Sequence, residues 1–270
     1  MIEIISGIGA TVVGGILVHY LKKTIENRIS IKRIRSSNDD HVDGLIDLYE
    51  EYFPDDGTNY TRDEMAEMMD VKFKIRRIVE AENVTLAAIR NNQVLGFTTC
   101  HLYPDSRKAI VSYIAVKGSF ATHQKTSLEI IKKLKDILIE TEKCDYLIFE
   151  TDAKSDKGLR RLLASRATSI GYKVQRFEIK YLGPRISMDD GTTPHEFSLF
   201  CVGLKEKLPD LISKHRMLEF LSFIYLECYG DLYPVNSGSD MFDQHRQHLK
   251  AMVDSYRSQL PESIAVIDVC

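Results

Sequence analysis

Four apolar runs decide the architecture of this chain: VTLAAIR at Val84–Arg90, QVLGFTTCHL at Gln93–Leu102, AIVSYIAV at Ala109–Val116 and, after one long amphipathic stretch, YLIFE at Tyr146–Glu150. Each has the length of a strand and is rich in β-branched or aromatic residues, which suit a pleated, half-buried surface. Asn91 and Asn92 separate the first two runs and tolerate the positive φ of a tight hairpin, so these runs pair antiparallel. The third is expected to follow antiparallel. Between it and the fourth, Ser127–Glu142 sets Leu128, Ile130, Ile131, Leu134, Ile137 and Leu138 at helical spacing with lysines outside, which predicts a helix lying on the sheet.

The flanking sequence extends this pattern. ISIKRIR at Ile29–Arg35 alternates apolar and basic residues, the period of a half-buried strand. Asp39–Phe53 carries Val42, Leu45, Ile46 and Tyr49 on one helical face, and Pro54-Asp55-Asp56-Gly57 forces a turn after it. A second helix is expected over Thr61–Glu80, because Thr61 stands three residues before Glu64 in capping-box spacing. Beyond YLIFE, Gly158–Ile170 reads as a helix, and Tyr172–Leu182 and Glu196–Leu204 read as closing strands. The predicted order is β-α-α-β-β-β-α-β-α-β-β, an α+β fold with a mixed, mostly antiparallel sheet flanked by helices.

Composition narrows the function classes. With 270 residues, 44% hydrophobic and 28% charged, the chain is neither a low-complexity nor a disordered polymer. A formal net charge of -3 gives no global pull toward nucleic acid, and none is expected as a partner. The five cysteines are odd in number and form no CxxC pair, which fits a reducing compartment; Cys100, Cys144 and Cys201 sit in strand-like surroundings as small buried hydrophobes. There is no Walker loop, GxSxG elbow or HExxH. His245 and His248 are three apart, but without further ligands in pattern no metal site is expected.

The order VLGFTTCHLY, then SYIAV feeding a helix, then YLIFET feeding a second helix that ends in Ile170-Gly171-Tyr172, resembles the GNAT superfamily of acyl-CoA-dependent N-acetyltransferases over about Ile29 to Leu204. The resemblance implies acetyl-CoA or another acyl-CoA as co-substrate and an amine as acceptor. Ile114, Ala115 and Val116 stand where the family's splayed strand hydrogen-bonds the pantetheine arm. The pyrophosphate loop that follows falls on Ala121-Thr122-His123-Gln124-Lys125-Thr126 and lacks the family's glycines; Lys125 would supply charge there, with Thr126 or Ser127 capping the helix toward a phosphate. The family's general-acid tyrosine falls on Ala167, leaving Tyr172 or Tyr113 as proton donors to the departing thiolate. Glu150, with Asp152 beside it, occupies the strand end where the family places its base. Asp55, Asp56, Asp63 and Glu64 would line the acceptor side and favour a cationic amine, or else simply serve a turn and a helix start.

Outside that region, residues 4–21 carry no Asp, Glu, Lys or Arg and would make a helix of about 27 Å, near a bilayer's hydrocarbon thickness. Lys22, Lys23, Arg28, Lys32, Arg33 and Arg35 follow, so an uncleaved single-pass anchor is expected, with the N-terminus outside and the bulk of the chain in the cytoplasm. Gly7, Thr11 and Gly15 recur every four residues, a spacing that permits helix self-association and hence a homo-oligomer; burial against the soluble part is the alternative. At the other end, Leu208–Tyr229 and Met241–Leu260 read as two extra helices. The expected organisation is an anchor over 1–27, a GNAT-like domain over 28–205 and a C-terminal helical extension over 206–270. Two functions are compatible with this organisation: a membrane-tethered N-acyltransferase, or an inactive GNAT-like binding, sensing or assembly module.

Overall fold

The computed structural model describes residues 28–53, 60–70, 81–118, 120–152, 173–183, 196–230 and 239–269. The expected anchor at 4–21, the turn at 54–57, the end of the second predicted helix, the helix at 158–170 and Tyr172 lie outside them. Among the described residues no helix is long and apolar enough to cross a membrane.

The elements are β1 (Ser30–Ile34), α1 (Val42–Tyr52), α2 (Arg62–Met68), β2 (Glu82–Arg90), β3 (Gln93–Tyr103), β4 (Lys108–Val116), α3 (Phe120–Glu140), β5 (Tyr146–Asp152), β6 (Val174–Phe177), β7 (Tyr181–Leu182), β8 (Glu196–Gly203), β9 (Leu211–Ser213), α4 (Lys214–Ser222), a π-helical segment (Phe223–Tyr229), α5 (Ser239–Gln259) and β10 (Ser263–Asp268). The strands form one sheet in the order β1-β2-β3-β4-β5-β8-β6-β10-β9, with β7 pairing β8. Among the described strands only the β4–β5 pair is parallel; the other pairs are antiparallel.

Local chemistry explains several of these elements. Asn91 and Asn92 take φ of 51° and 61°, the left-handed pair that a two-residue hairpin requires, and β2 and β3 close around them. The Thr61 side chain accepts from the Glu64 N–H, and the Glu64 carboxylate accepts from the Thr61 N–H at 2.9 Å, which completes the capping box and starts α2. Leu134, Ile137 and Leu138 of α3 pack on Val84, Leu86, Cys100, Leu102 and Leu147 on one sheet face. The opposite face is covered in two parts. Leu45, Ile46, Tyr49 and Met65 of α1 and α2 meet Ala87, Ile89, Phe97 and Ala115, while the C-terminal helices bring Phe220, Phe223, Ile224 and Tyr225 onto Ile110, Ile148, Tyr181 and Leu199.

Three expectations need correction. α3 begins at Phe120, earlier than Ser127, so Thr126 and Ser127 lie within the helix instead of capping it. Both are buried and Lys125 is exposed, so Thr126 and Ser127 are not placed at the helix start to meet a phosphate. The predicted strand Tyr172–Leu182 is two strands, β6 and β7, separated by a bend at Ile179. The C-terminal extension is not purely helical: Leu211–Ser213 and Ser263–Asp268 add β9 and β10 to the sheet beyond β6. Ser263–Asp268 alternates in burial and follows a proline, a strand signal too short to stand out beside two long helical patterns. The extension thus shares its sheet and its core with the preceding strands.

Candidate active site

β4 and β5 run side by side for only three register pairs, Lys108 with Tyr146, Ala109 with Leu147 and Ile110 with Ile148, and then part. The cause lies in β4. Its pairing with β3 jumps from Thr99–Tyr113 to Cys100–Val111, leaving Ser112 as an extra residue, and such a bulge bends its strand and increases the local twist. Past the bulge β4 stays on β3 while β5 stays on β8, which opens a cleft between them.

Among the described residues, the β4 wall of this cleft carries backbone that no neighbouring strand pairs. The Lys117 N–H donates to the Leu95 carbonyl at 2.6 Å, so Lys117, and by alternation Ala115 and Tyr113, direct their backbone groups toward β3. Those of Ile114 and Val116 therefore face the cleft. The Val116 carbonyl accepts there from the Tyr52 hydroxyl at 3.2 Å, and Lys117 pairs with Glu51 at 2.8 Å, so the end of α1 is tied to this wall. Among the described residues Ile114 is one of the few large apolar side chains left exposed, whereas Ala115 and Val116 are buried. Gly96 on β3 permits the close strand approach: a Cβ there would stand 2.8 Å from the Val116 side chain and 2.9 Å from the Ala115 carbonyl. Directly after β4, Gly118 takes φ of 118°, a left-handed turn open to glycine, and α3 starts two residues later.

On β5, Glu150 lies on the same face as Tyr146 and Ile148, toward the C-terminal helices, and beyond the point where the strands part. Its carboxylate accepts from the Tyr181 hydroxyl of β7 and from the Tyr229 hydroxyl at 2.7 Å. Burial pushes the Glu150 pKa above the usual carboxylate range, against the pull of these two hydrogen bonds. Burial, followed by the Glu150 charge, holds both tyrosines well above the ordinary phenol value, so they donate and stay protonated. The cradle is itself braced. The Tyr225 hydroxyl donates to the Leu182 carbonyl, the Leu182 N–H donates to the Tyr256 hydroxyl at 2.8 Å, and His245 reaches the Tyr229 carbonyl at 3.4 Å.

Nearby on β3, His101 is buried and its pKa is pushed down to about 4 by loss of water. Neither ring nitrogen has a hydrogen-bond partner among the described residues, nor does Thr99 Oγ1, which lies on the same face. Tyr113 sits within an aromatic group, 5.0 Å from Tyr49, 4.9 Å from Phe53 and 6.0 Å from Tyr60 between ring centroids. Of the acids expected on the acceptor side, Glu64 serves the capping box, and Asp55 and Asp56 lie outside the described residues; on α1, Asp47 and Glu50 pair with Arg62 at 3.0 Å and 2.9 Å. Cys100, Cys144 and Cys201 are buried as expected, and Cys144 is pushed up to about 12 by burial.

The structure thus brings together Glu150, Ile114 and Val116 at one opening, and sets Lys125, Thr126 and Ser127 along α3 away from its start. Tyr181, Tyr229 and Gly118 were not singled out from the sequence. The aromatic excess of Leu208–Tyr229, more than a single packed stripe needs, was the available signal for Tyr229.

No protein-family model matches the sequence, and no curated protein does. Among solved structures, the chain is similar to an aminoglycoside 6'-N-acetyltransferase from Enterococcus faecium, at 14% identity and a TM-score of 0.44, over 67% of this chain and 99% of that one. It is similar to the diaminobutyrate acetyltransferase EctA from Paenibacillus lautus, in complex with its substrate and coenzyme A, at 15% identity and a TM-score of 0.44, over 68% and 99%. Arabidopsis thaliana NAA60 in complex with acetyl-CoA is similar at 13% identity and a TM-score of 0.45, over 66% and 100%. The likeness is one of fold, and the chemistry is read from the site's own residues.

Proposed function

We propose that this chain is an acyl-CoA-dependent N-acyltransferase that acetylates an amine. The observation that carries the reading is the parted β4–β5 pair, with a half-buried carboxylate on β5 and, on β4, the backbone of Ile114 and Val116 turned away from β3. A thioester arm laid along β4 would extend the sheet, taking hydrogen bonds from the backbone of Ile114 and Val116. Its pyrophosphate would lie toward Gly118 and the start of α3, where helix N–H groups favour anions. Lys125, exposed farther along α3, would meet only the outer phosphates.

Glu150 acts as the base. An amine that enters as its ammonium must lose a proton before it can attack, and Glu150, half-buried with its pKa raised by loss of water, would take that proton. The N–H of Val116 would meet the oxygen of the thioester carbonyl as charge develops on it. Tyr113 and Tyr172 remain the candidate donors to the leaving thiolate. The uncharged stretch 4–21 and the basic residues after it support a tether at the cytoplasmic face of a membrane, with the small-residue spacing as a route to self-association. A cationic acceptor fits the acidic character of the α1–α2 side.

The test is thiol release from acetyl-CoA by the full chain against a panel of a polyamine, an aminoglycoside and a lysine peptide. Amine-dependent turnover that Glu150→Gln removes is the expected result. Turnover absent across the panel, with acetyl-CoA unbound, would leave the GNAT-shaped binding or assembly module as the function.

A further inference from the structure

The C-terminal extension lies outside the region that resembles the GNAT superfamily, and packing is the default role for such a segment. Its geometry is more specific than that. α4 buries Met217, Phe220 and Leu221 in α-helical spacing, and then the chain widens into a π-helical segment over Phe223–Tyr229. Widening of this kind re-aims the residues that follow it and recurs at functional sites. Here its last residue, Tyr229, places its hydroxyl 2.7 Å from Glu150 Oε2, while His245 of α5 holds the Tyr229 carbonyl. Tyr225 of the same segment and Tyr256 of α5 clamp the two backbone groups of Leu182, next to Tyr181, which donates to Glu150 Oε1. Both oxygens of the carboxylate are therefore set by groups that the extension supplies or braces.

We infer that the extension is part of the active site: Tyr229 directly, and Tyr181 through the Leu182 clamp, are positioning residues that fix the Glu150 carboxylate by donating to both of its oxygens. The inference rests on the acyltransferase reading for its consequence in catalysis. The physical need is plain. A carboxylate removed from water would take up a proton, and only donors aimed at its charged form oppose that. Two neutral hydroxyls do so without cancelling its charge, as a lysine or arginine would. Among the described residues the polar groups that face it are Tyr181 from β7 and Tyr229 from the π-helical segment; Leu199 is its register partner on β8, Tyr225 stands behind Tyr181, and Tyr113 lies near Tyr229.

The experiment compares Tyr229→Phe, Tyr181→Phe and Tyr225→Phe in the full chain, each of which keeps its ring and loses one hydroxyl. The first readout is the pH profile of kcat/KM for the amine. The second, independent of turnover, is the ionisation of Glu150 followed by carbon NMR, assigned through Glu150→Gln. Tyr229→Phe and Tyr181→Phe are expected to move both the acidic limb and the NMR titration to higher pH, with kcat/KM near neutrality about tenfold lower and KM for acetyl-CoA unchanged. Tyr225→Phe, which removes one half of the Leu182 clamp, is expected to lower Tm and to move the limb in the same direction by a smaller amount. If Tyr229→Phe does not fold, Tyr181→Phe decides by the same criteria. A titration unmoved in both would overturn the inference. Wild type inactive with the titration shifted would instead defeat the acyltransferase reading and leave the positioning of Glu150 standing.

Discussion

The two ends of the β4–β5 pair are built by opposite rules. At the paired end, Arg107 holds Asp145 with two hydrogen bonds of 2.7 and 2.9 Å, the Asp145 N–H donates to the Arg107 carbonyl, and Lys205 adds a second cation at 3.0 Å. The Arg107 hydrogen bonds hold the Asp145 carboxyl down at about 2. At the open end the ladder stops, the backbone of Ile114 and Val116 is left to the cleft, and the nearby carboxylate, Glu150, is held by neutral hydroxyls with its pKa raised. Charge meets charge near water at one end, and charge meets dipole away from water at the other. The first arrangement fastens two strands. The second leaves a carboxylate beside strand backbone that β5 does not pair, the place where the proposed chemistry would occur.

Glu150→Gln attacks the contrast most strongly. It is expected to lower kcat/KM by at least about a hundredfold while Tm holds or rises, because a half-buried carboxylate is removed and its hydroxyl donors keep an acceptor. Turnover assayed beside thermal melts checks this, and a large fall in Tm would mean that the open end is structural after all.

The next largest effect concerns His101, one polar step along β3 from the bulge. Its folded pKa of about 4 lies below the ordinary 6.5, so between these values the unfolded chain binds the extra proton. His101 therefore contributes stability above 6.5 that is lost as pH falls through 4, on the order of 3 kcal/mol in all. Denaturant titrations of His101→Leu across that interval should give a flatter dependence on pH than wild type. An unchanged slope would mean that His101 is not buried neutral.

Gly96→Ala tests how tightly β4 is held on β3. The added Cβ meets Val116 and the Ala115 carbonyl, a crowding expected to cost about 1–3 kcal/mol and to weaken acetyl-CoA binding with it. The smallest effect belongs to the paired end. Asp145→Asn should lower Tm slightly and leave kcat/KM alone, since exposed ion pairs contribute little and neither Arg107 nor Lys205 reaches the cleft.

Periodicity made the sheet legible. The alternation in β1, the paired asparagines of the hairpin, the apolar runs of β3 to β5 and the stripe of α3 each follow from a single local rule. The position of Glu150 at the end of β5 was legible for the same reason. What held it was not, because Tyr181 and Tyr229 reach it over sequence separations of 31 and 79 residues, and no local pattern encodes such a contact. The start of α3 was misplaced because Phe120–Gln124 continues the helix without an apolar stripe to announce it, and no local pattern marks Gly118. β9 and β10 were hidden by their shortness beside the helices of the extension, whose bulk made it look separate from a sheet that it completes.

The most direct measurement is a calorimetric titration of the full chain with acetyl-CoA. The account predicts saturable one-to-one binding, weakened by Gly96→Ala and indifferent to Asp145→Asn. No heat of binding at millimolar acetyl-CoA, in protein shown to be folded, would contradict the claim that the parted end of β4 and β5 is a thioester cleft.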